Sequence, residues 1–445
     1  MHPNLSFEQA PPVWVPYRFF LTAPLFGLAA GLLLAWVGAE AFASRWTPAA
    51  LALTHLMVAG FMLQAMCGAL LQFIPVATGG NIWRPGLVAG LVHPALVVGV
   101  ALLATGFLVG PGPWFAAGAG LIVTALSGYV AVAGFALFRA PAKGATIVAL
   151  RVAVLALVVT YVLGFTLALG LRGVAGVALT EVTHVHAAWG LGGWALLLLS
   201  GVSYYVVPMF QLTPAYPAWL GRLLPWGLLA VLLLWAAQLS GHAQGWQWWV
   251  LLSGLLLAGT FAVVTLRLQA QRRRRVPDVT LTFFRGGMAS LLAVALALAA
   301  AIAVPPAPTF SAAPGLMAFA AAPPFAVAIG ILTFVGLFVS VITGMLYKIV
   351  PFLNWLHLQR LGGLTLLPPN MKQMIPERAM VWQMRLHFAA LAALLAAVAW
   401  PPLTSVAGLL FAASCAWLEW NLLSGVRVYV DFRDRIRAAD ACHAP

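Results

Sequence analysis

Twelve apolar runs, most of twenty or more residues and joined by short connections, occupy this chain from residue 18 to residue 426. A helix of about 20 apolar residues crosses the hydrocarbon of a bilayer. In lipid the backbone has no water to bond to, so a segment of this kind closes its hydrogen bonds on itself as a helix. The runs therefore predict an all-α polytopic membrane protein forming a single transmembrane domain over residues 1–445. Its spans are expected at about 18–38, 49–75, 86–109, 113–138, 146–170, 183–210, 219–240, 246–268, 286–304, 322–350, 383–403 and 404–426. Only 7% of the residues are charged, against roughly 25% in soluble domains, and no connection is long enough for a separate folded domain. The segment Met1–Tyr17 has no short apolar core followed by a cleavage site, so the first run is expected to be retained. Cys67, Cys415 and Cys442 are scattered and make neither a disulfide framework nor a CxxC metal site.

The net charge of +14 reads as a basic membrane face attracted to anionic lipid, not as a nucleic-acid surface. The run Arg272–Arg275 with Arg267 and Arg285 lies between spans 8 and 9. Arg139, Lys143 and Arg151 flank the connection between spans 4 and 5, and Arg360, Lys372, Arg378 and Arg385 that between spans 10 and 11. Arg427, Arg433, Arg435 and Arg437 form the tail. With twelve spans all of these share one side, while the connections 3–4, 7–8, 9–10 and 11–12 carry no Lys or Arg. The positive-inside rule then places both termini in the cytoplasm.

The chain repeats itself. Gly60, Gly68 and Pro75 in span 2, Gly193, Gly201 and Pro208 in span 6, and Gly336, Gly344 and Pro351 in span 10 all read G-x7-G-x6-P. The prolines are 133 and 143 residues apart, about four spans each time. The pattern predicts three four-helix blocks, approximately 18–138, 146–268 and 286–426, about a pseudo-threefold axis normal to the membrane. Glycines at fixed heights let helices approach closely or leave room for a flat ligand.

Imidazoles inside apolar helices are costly unless they are paired or ligating. Span 6 opens with His184-Val185-His186 and span 2 carries His55. Counted back from the repeat proline, His55 stands at −20 and His186 at −22, a difference in depth of about 3 Å. Two imidazoles at similar height on neighbouring helices are what bis-histidine ligation of a haem iron needs. Helical residues two apart point about 200° from one another, so His184 and His186 serve different neighbours. His184 is left open between a second haem, a copper ion and the outer headgroup region near Glu181. His93, His357 and His387 lie toward the basic end and read as interfacial histidines, with a separate inner metal site as the alternative. Lys348 and Glu419 read as a snorkelling cation or a local ion pair, with an inward proton path as the alternative. His2, His242 and His443 fall in tails or loops.

The span 6 stretch resembles the tenth helix of subunit I of the heme-copper oxidase superfamily, most of all its cbb3-type and nitric-oxide-reductase branch. That helix carries an H-V-H pair, a glycine-tryptophan segment and a Y-Y-x-V-P ending, here His184-Val185-His186, Gly193-Trp194 and Tyr204-Tyr205-Val206-Val207-Pro208. Span 2, with Thr54-His55 and the later Gly60, Gly68 and Pro75, is similar to the family's second helix. The resemblance implies His55 and His186 on one low-spin haem b and His184 on a second, high-spin haem. The family's copper site needs a His-His pair, and this chain has none; its H-V-H also lies in the sixth span and not the tenth. The chain thus looks like a divergent member, near the NnrS-type proteins of nitric oxide metabolism.

The implied function is electron transfer or small-gas chemistry, with NO or O2, at haem b in a bacterial inner membrane. Cytochrome c or a quinol is the implied redox partner, and self-association into a homo-oligomer stays open. The alternatives are a transporter of metal, haem or a small solute, in which the histidines are transient ligands, and an accessory or assembly protein of the membrane.

Overall fold

The computed structural model describes residues 7–240, 246–274, 276, 278–303, 323–361 and 368–442; His2, His242 and His443 lie outside them. Twelve helices are long and apolar enough to span a membrane: α1 Trp14–Phe42, α2 Pro48–Thr78, α3 Pro85–Val109, α4 Pro113–Arg139, α5 Ala145–Leu171, α6 Leu179–Gln211, α7 Ala218–Ala236, α8 Gln247–Ala270, α9 Val279–Ala303, α10 Pro323–Leu361, α11 Glu377–Ala399 and α12 Pro401–Ala439. No strand occurs among the described residues. The fold is the all-α polytopic one expected. The boundaries differ most where polar helix follows or precedes the apolar run. α9 and α11 start several residues early, and helix continues from α12 as far as Cys442. Hydropathy marks the part of a helix that fits the bilayer, not the part that is helical.

The G-x7-G-x6-P repeat is a packing repeat. A Cβ on Gly68 would lie 2.7 Å from Phe19, one on Gly201 2.8 Å from Ala149, and one on Gly344 2.8 Å from Phe283. The upper glycines meet the same three helices one step further along: Gly60 meets Phe26 at 2.5 Å, Gly193 meets Ala156 at 2.7 Å, and Gly336 meets Ser290 at 2.6 Å. In each block the two partners are seven residues apart on the first helix, two turns of one face. Small residues let these helices close where no hydrophobic effect drives them together.

The last helix of each block packs against the first helix of the next: α4 on α5, α8 on α9, and α12 back onto α1. The repeat extends to how these junctions are finished. Arg151 stands two residues after Ala149, and Arg285 two after Phe283. The Arg151 guanidinium donates to Leu137 O at 3.2 Å and Phe138 O at 3.1 Å, the terminal carbonyls of α4, and Arg285 donates to Gln269 O of α8 at 3.2 Å. The last carbonyls of a helix have no partner within it, and these arginines supply one. The equivalent residue in the first block is Leu21. The helix packed on α1 is α12, which does not end at this depth but runs on to Cys442, so there are no orphan carbonyls there to cap.

α2, α6 and α10 come together in the bundle. They line an apolar chamber of about 90 Å³ with residues 10, 9 and 6 places before each repeat proline: Ala65, Met66 and Ala69, then Leu198, Leu199 and Val202, then Val341, Ile342 and Met345. Each of the three helices also contains a π-helical stretch, at Leu56–Met62, Trp189–Leu196 and Leu332–Val339. All three stretches begin 19 residues before the repeat proline. Such stretches are rare and concentrate at functional sites.

Polar side chains tie α10 to its neighbours in the basic half. The Tyr347 hydroxyl donates to Gln383 Oε1 of α11 at 3.1 Å and accepts from Asn421 Nδ2 of α12 at 2.8 Å. Asn354 Nδ2 donates to Gly425 O at 2.8 Å, and Tyr17 of α1 reaches Asn354 Oδ1 and Val350 O. These groups are buried. Tyr347→Phe leaves Gln383 and Asn421 each short of a partner, and is expected to cost about 1–2 kcal/mol, read as a lower midpoint in a detergent unfolding titration.

Lys348 makes a local ion pair, one of the two readings its position allowed. Its Nζ lies 2.9 Å from Asp278 Oδ2, and Asp278 Oδ1 accepts from Thr280 N and Thr280 Oγ1 at the start of α9. Burial raises the Asp278 carboxyl, but the Thr280 and Lys348 hydrogen bonds and the Lys348 charge outweigh it, and the pKa lies below the ordinary 3.8. The stabilisation is therefore complete above pH 3.8 and is lost as pH falls through the lower folded value. Thermal midpoints measured downward from pH 6 should fall faster below about pH 4 in the wild type than in Asp278→Asn; parallel curves would contradict the pairing.

Candidate functional site

The three outer histidines lie just ahead of two of the π-helical stretches. Pro48 at the first position of α2 and the Thr47 hydroxyl, which accepts from Ala50 N at 3.1 Å, fix the start of that helix. His55 is its last α-helical residue before the π stretch at Leu56. His186 lies three residues ahead of the π stretch at Trp189. Both side chains are half-buried.

Their hydrogen bonding is alike. Nδ1 of His55 lies 2.8 Å from Leu51 O, and Nδ1 of His186 lies 2.9 Å from Thr160 O on α5. A carbonyl only accepts, so each Nδ1 carries the hydrogen and each Nε2 is left with its lone pair. Neither Nε2 has a hydrogen-bond partner among the described residues. A metal-bound histidine has its other nitrogen held in this way, which fixes tautomer and ring orientation together.

The surroundings of His186 leave little freedom. A Cβ on Gly164 of α5 would come within 3.0 Å of its Cε1, so the glycine makes the space the ring occupies. His55 lies against Phe107 of α3, with ring centroids 4.8 Å apart and planes tilted by 33°. Phe107 in turn meets Phe115 of α4 edge-on at 5.1 Å. His55 and His186 are near enough for a charge on one to act on the other. The site thus draws on α2 and α3 of the first block and on α5 and α6 of the second.

His184 has different neighbours. It is half-buried and feels the charges of Arg45, in the connection between α1 and α2, and of Glu181 one turn earlier on α6. Arg45 itself stacks over the Trp46 ring, 4.7 Å from its centroid. The indole nitrogens of Trp189 and Trp194 are buried without a hydrogen-bond partner among the described residues, on the helix that carries His184 and His186.

Two of the inner histidines have side-chain partners. His387 is 1% exposed, and its Nε2 is bonded to Ser340 Oγ of α10 at 2.8 Å. His93 Nε2 is bonded to Thr22 Oγ1 of α1 at 2.8 Å. Their rings lie against Phe19 and Phe283, at 5.0 and 5.3 Å, and these two phenylalanines occupy equivalent repeat positions. The hydroxyl partners that bury these imidazoles were not visible as a pattern in the sequence. Each Nε2 is thus engaged by a hydroxyl of another helix in its own block. Glu419 has Oε2 buried without a partner among the described residues, and so does His357 its Nε2.

Among the described residues no group of three or more His, Cys, Asp or Glu is placed to hold a metal ion. Haem differs from a bare ion in this respect, since the porphyrin supplies four nitrogens and the protein one or two ligands. A scan of protein-family models finds no match to the chain, and a search of curated proteins finds none.

Proposed function

We propose that this is a haem b protein of the membrane, with His55 and His186 as the two axial ligands of one haem. The observation that carries the reading is the shared state of the two rings: Nδ1 bonded to a backbone carbonyl, Nε2 without a protein partner. Equivalent helices in adjacent blocks bring them to similar depth, and Gly164 keeps the space for the His186 ring. The resemblance to heme-copper oxidase subunit I assigns the same two residues on independent grounds. A haem held between two imidazoles supplies one-electron transfer.

The chain's residues have distinct parts in this. The carbonyls of Leu51 and Thr160 hold each imidazole neutral, with Nε2 as the ligating atom. Phe107 and Phe115 provide an apolar wall beside His55 and exclude water from it. His184, close to Arg45 and Glu181, is the residue for a second haem open to a small gas such as NO or O2. A cytochrome c or quinol donor and the inner membrane of a bacterium complete the proposal, with the basic face of the bundle in the cytoplasm.

The test is optical. Protein expressed with added haem precursor and purified in mild detergent should show a Soret band, a low-spin component and at least one haem b per chain in a pyridine haemochrome assay, with a second where His184 is loaded. A protein without a Soret band under these conditions defeats the reading. Histidine-dependent metal uptake by such a haem-free protein would favour the transporter alternative.

A further inference from the structure

A cleft of about 550 Å³ opens at the basic end of the bundle, between α4 and the connection from α2 to α3. Gly79, Gly80 and Asn81 form its floor and rim, Trp83 one wall, and Val132, Phe135 and Arg139 of α4 the other. The floor lies tight against α4, since a Cβ on Gly80 would come 2.7 Å from Ala136 O. The connection is also tied to the one after α4, where Ala142 N donates to Thr78 O at 3.4 Å. Trp83 and Phe135 are each 59% exposed on a surface that faces lipid along its length.

The charges here have no local partner. From Ala41 to Thr180 the chain has no Asp or Glu, while Arg84, Arg139 and Lys143 cluster around the cleft's two connections. Glu8 is on the Phe7–Gln9 turn that lies against Ile74–Thr78, and it forms no ion pair among the described residues. The capping of the α4 carbonyls is done by Arg151, so Arg139 is not needed for it. Its guanidinium lies over the Phe135 ring instead, 4.5 Å from the centroid, at the mouth of the cleft.

We propose that this cleft binds one anionic phospholipid. The phosphate is recognised by Arg139 with the Asn81 amide, and an acyl chain runs along Val132 and Phe135 with Trp83 at headgroup level. A guanidinium suits phosphate oxygens by geometry and charge, and a basic pocket beside transmembrane helices on the positive face is where anionic headgroups collect. The apolar wall beside the cation selects a lipid over a free anion.

Native mass spectrometry of the full chain, released from micelles doped with equal phosphatidylglycerol and phosphatidylcholine, tests this. The wild type should keep one phosphatidylglycerol in preference to phosphatidylcholine. Arg139→Gln should lower that preference about fivefold, the worth of one cation near the surface, and Arg139→Lys should restore much of it. Ala131 also lines the cleft, and Ala131→Trp, which fills it but leaves every charge, should abolish retention. Equal retention of the two lipids by the wild type would overturn the proposal, as would unchanged retention in both Arg139→Gln and Ala131→Trp. Complete displacement by millimolar inorganic phosphate would overturn the lipid assignment. Thermal midpoints of each variant check that it folds, so a loss of binding is not a loss of structure.

Discussion

His186→Ala is expected to remove the low-spin haem spectrum from the purified protein, and His55→Ala to do the same. Under the proposed ligation each ring supplies one axial nitrogen, and neither Nε2 has a hydrogen-bond partner among the described residues. Low-spin haem should fall by at least about tenfold, since even outer-shell changes around a metal cost 10- to 100-fold; any haem that remains should be high-spin. Gly164→Leu should mimic His186→Ala without touching a ligand, because its side chain would enter the space 3.0 Å from His186 Cε1. His93→Ala and His387→Ala are the controls. Both remove a bonded imidazole from packing, so they should lower stability and leave the spectrum as it was. A low-spin spectrum unchanged in His55→Ala or His186→Ala would exclude the assignment.

The second large effect is expected at Gly118, where α3 and α4 approach most closely. A Cβ there would stand 2.4 Å from Leu103 N and 2.8 Å from Gly99 O, and one on Gly106 would stand 2.5 Å from Phe115 Cα. These are backbone contacts, which cannot rotate aside as a side chain can. Gly118→Leu must therefore push the helices apart along their shared length, at a cost of about 3 kcal/mol or more. Gly120→Leu and Gly128→Leu, on the same helix with nothing within 4 Å, should stay within about 0.5 kcal/mol of the wild type. Equal losses at all three positions would show that the close approach does not matter. The hairpin also carries Phe107, so Gly118→Leu should move the ring that lies against His55 and broaden or shift any haem band.

The helix count, the fold class and the repeat were legible because each depends on a one-dimensional signal. An apolar run of span length has no other use in lipid, and the glycines at and equivalent to Gly60 and Gly68 recur at fixed spacing because each admits a helix contact at a fixed height. The π-helical stretches were not legible. Nothing in the residues of Leu56–Met62, Trp189–Leu196 or Leu332–Val339 distinguishes them as a class, and only their common start 19 residues before the proline shows the relation. The partners of two inner histidines were hidden for a related reason. Depth can be counted along one helix, but the Thr22 and Ser340 hydroxyls that accommodate His93 and His387 come from other helices. The arginine caps were half legible: Arg151 and Arg285 stand out as charges, but their equivalence rests on contacts with Phe283 and Ala149 that no spacing announces. For His55 and His186 the sequence supplied residue type and depth, and the structure adds the tautomer.

That α12 returns to pack on α1 has a consequence for biogenesis. The groove of α1 where a Cβ on Gly31 would meet Ala412 cannot be covered until the chain has been extended by the 359 residues from Phe42 to Pro401. At ribosomal speeds of 5–20 residues per second that wait is about 20–70 s. During this interval the first helix presents its small-residue surface to whatever the insertion machinery or the lipid places beside it. A nascent chain stalled before the final helix would hold an open arc, in which the first and third blocks are not yet joined at that seam.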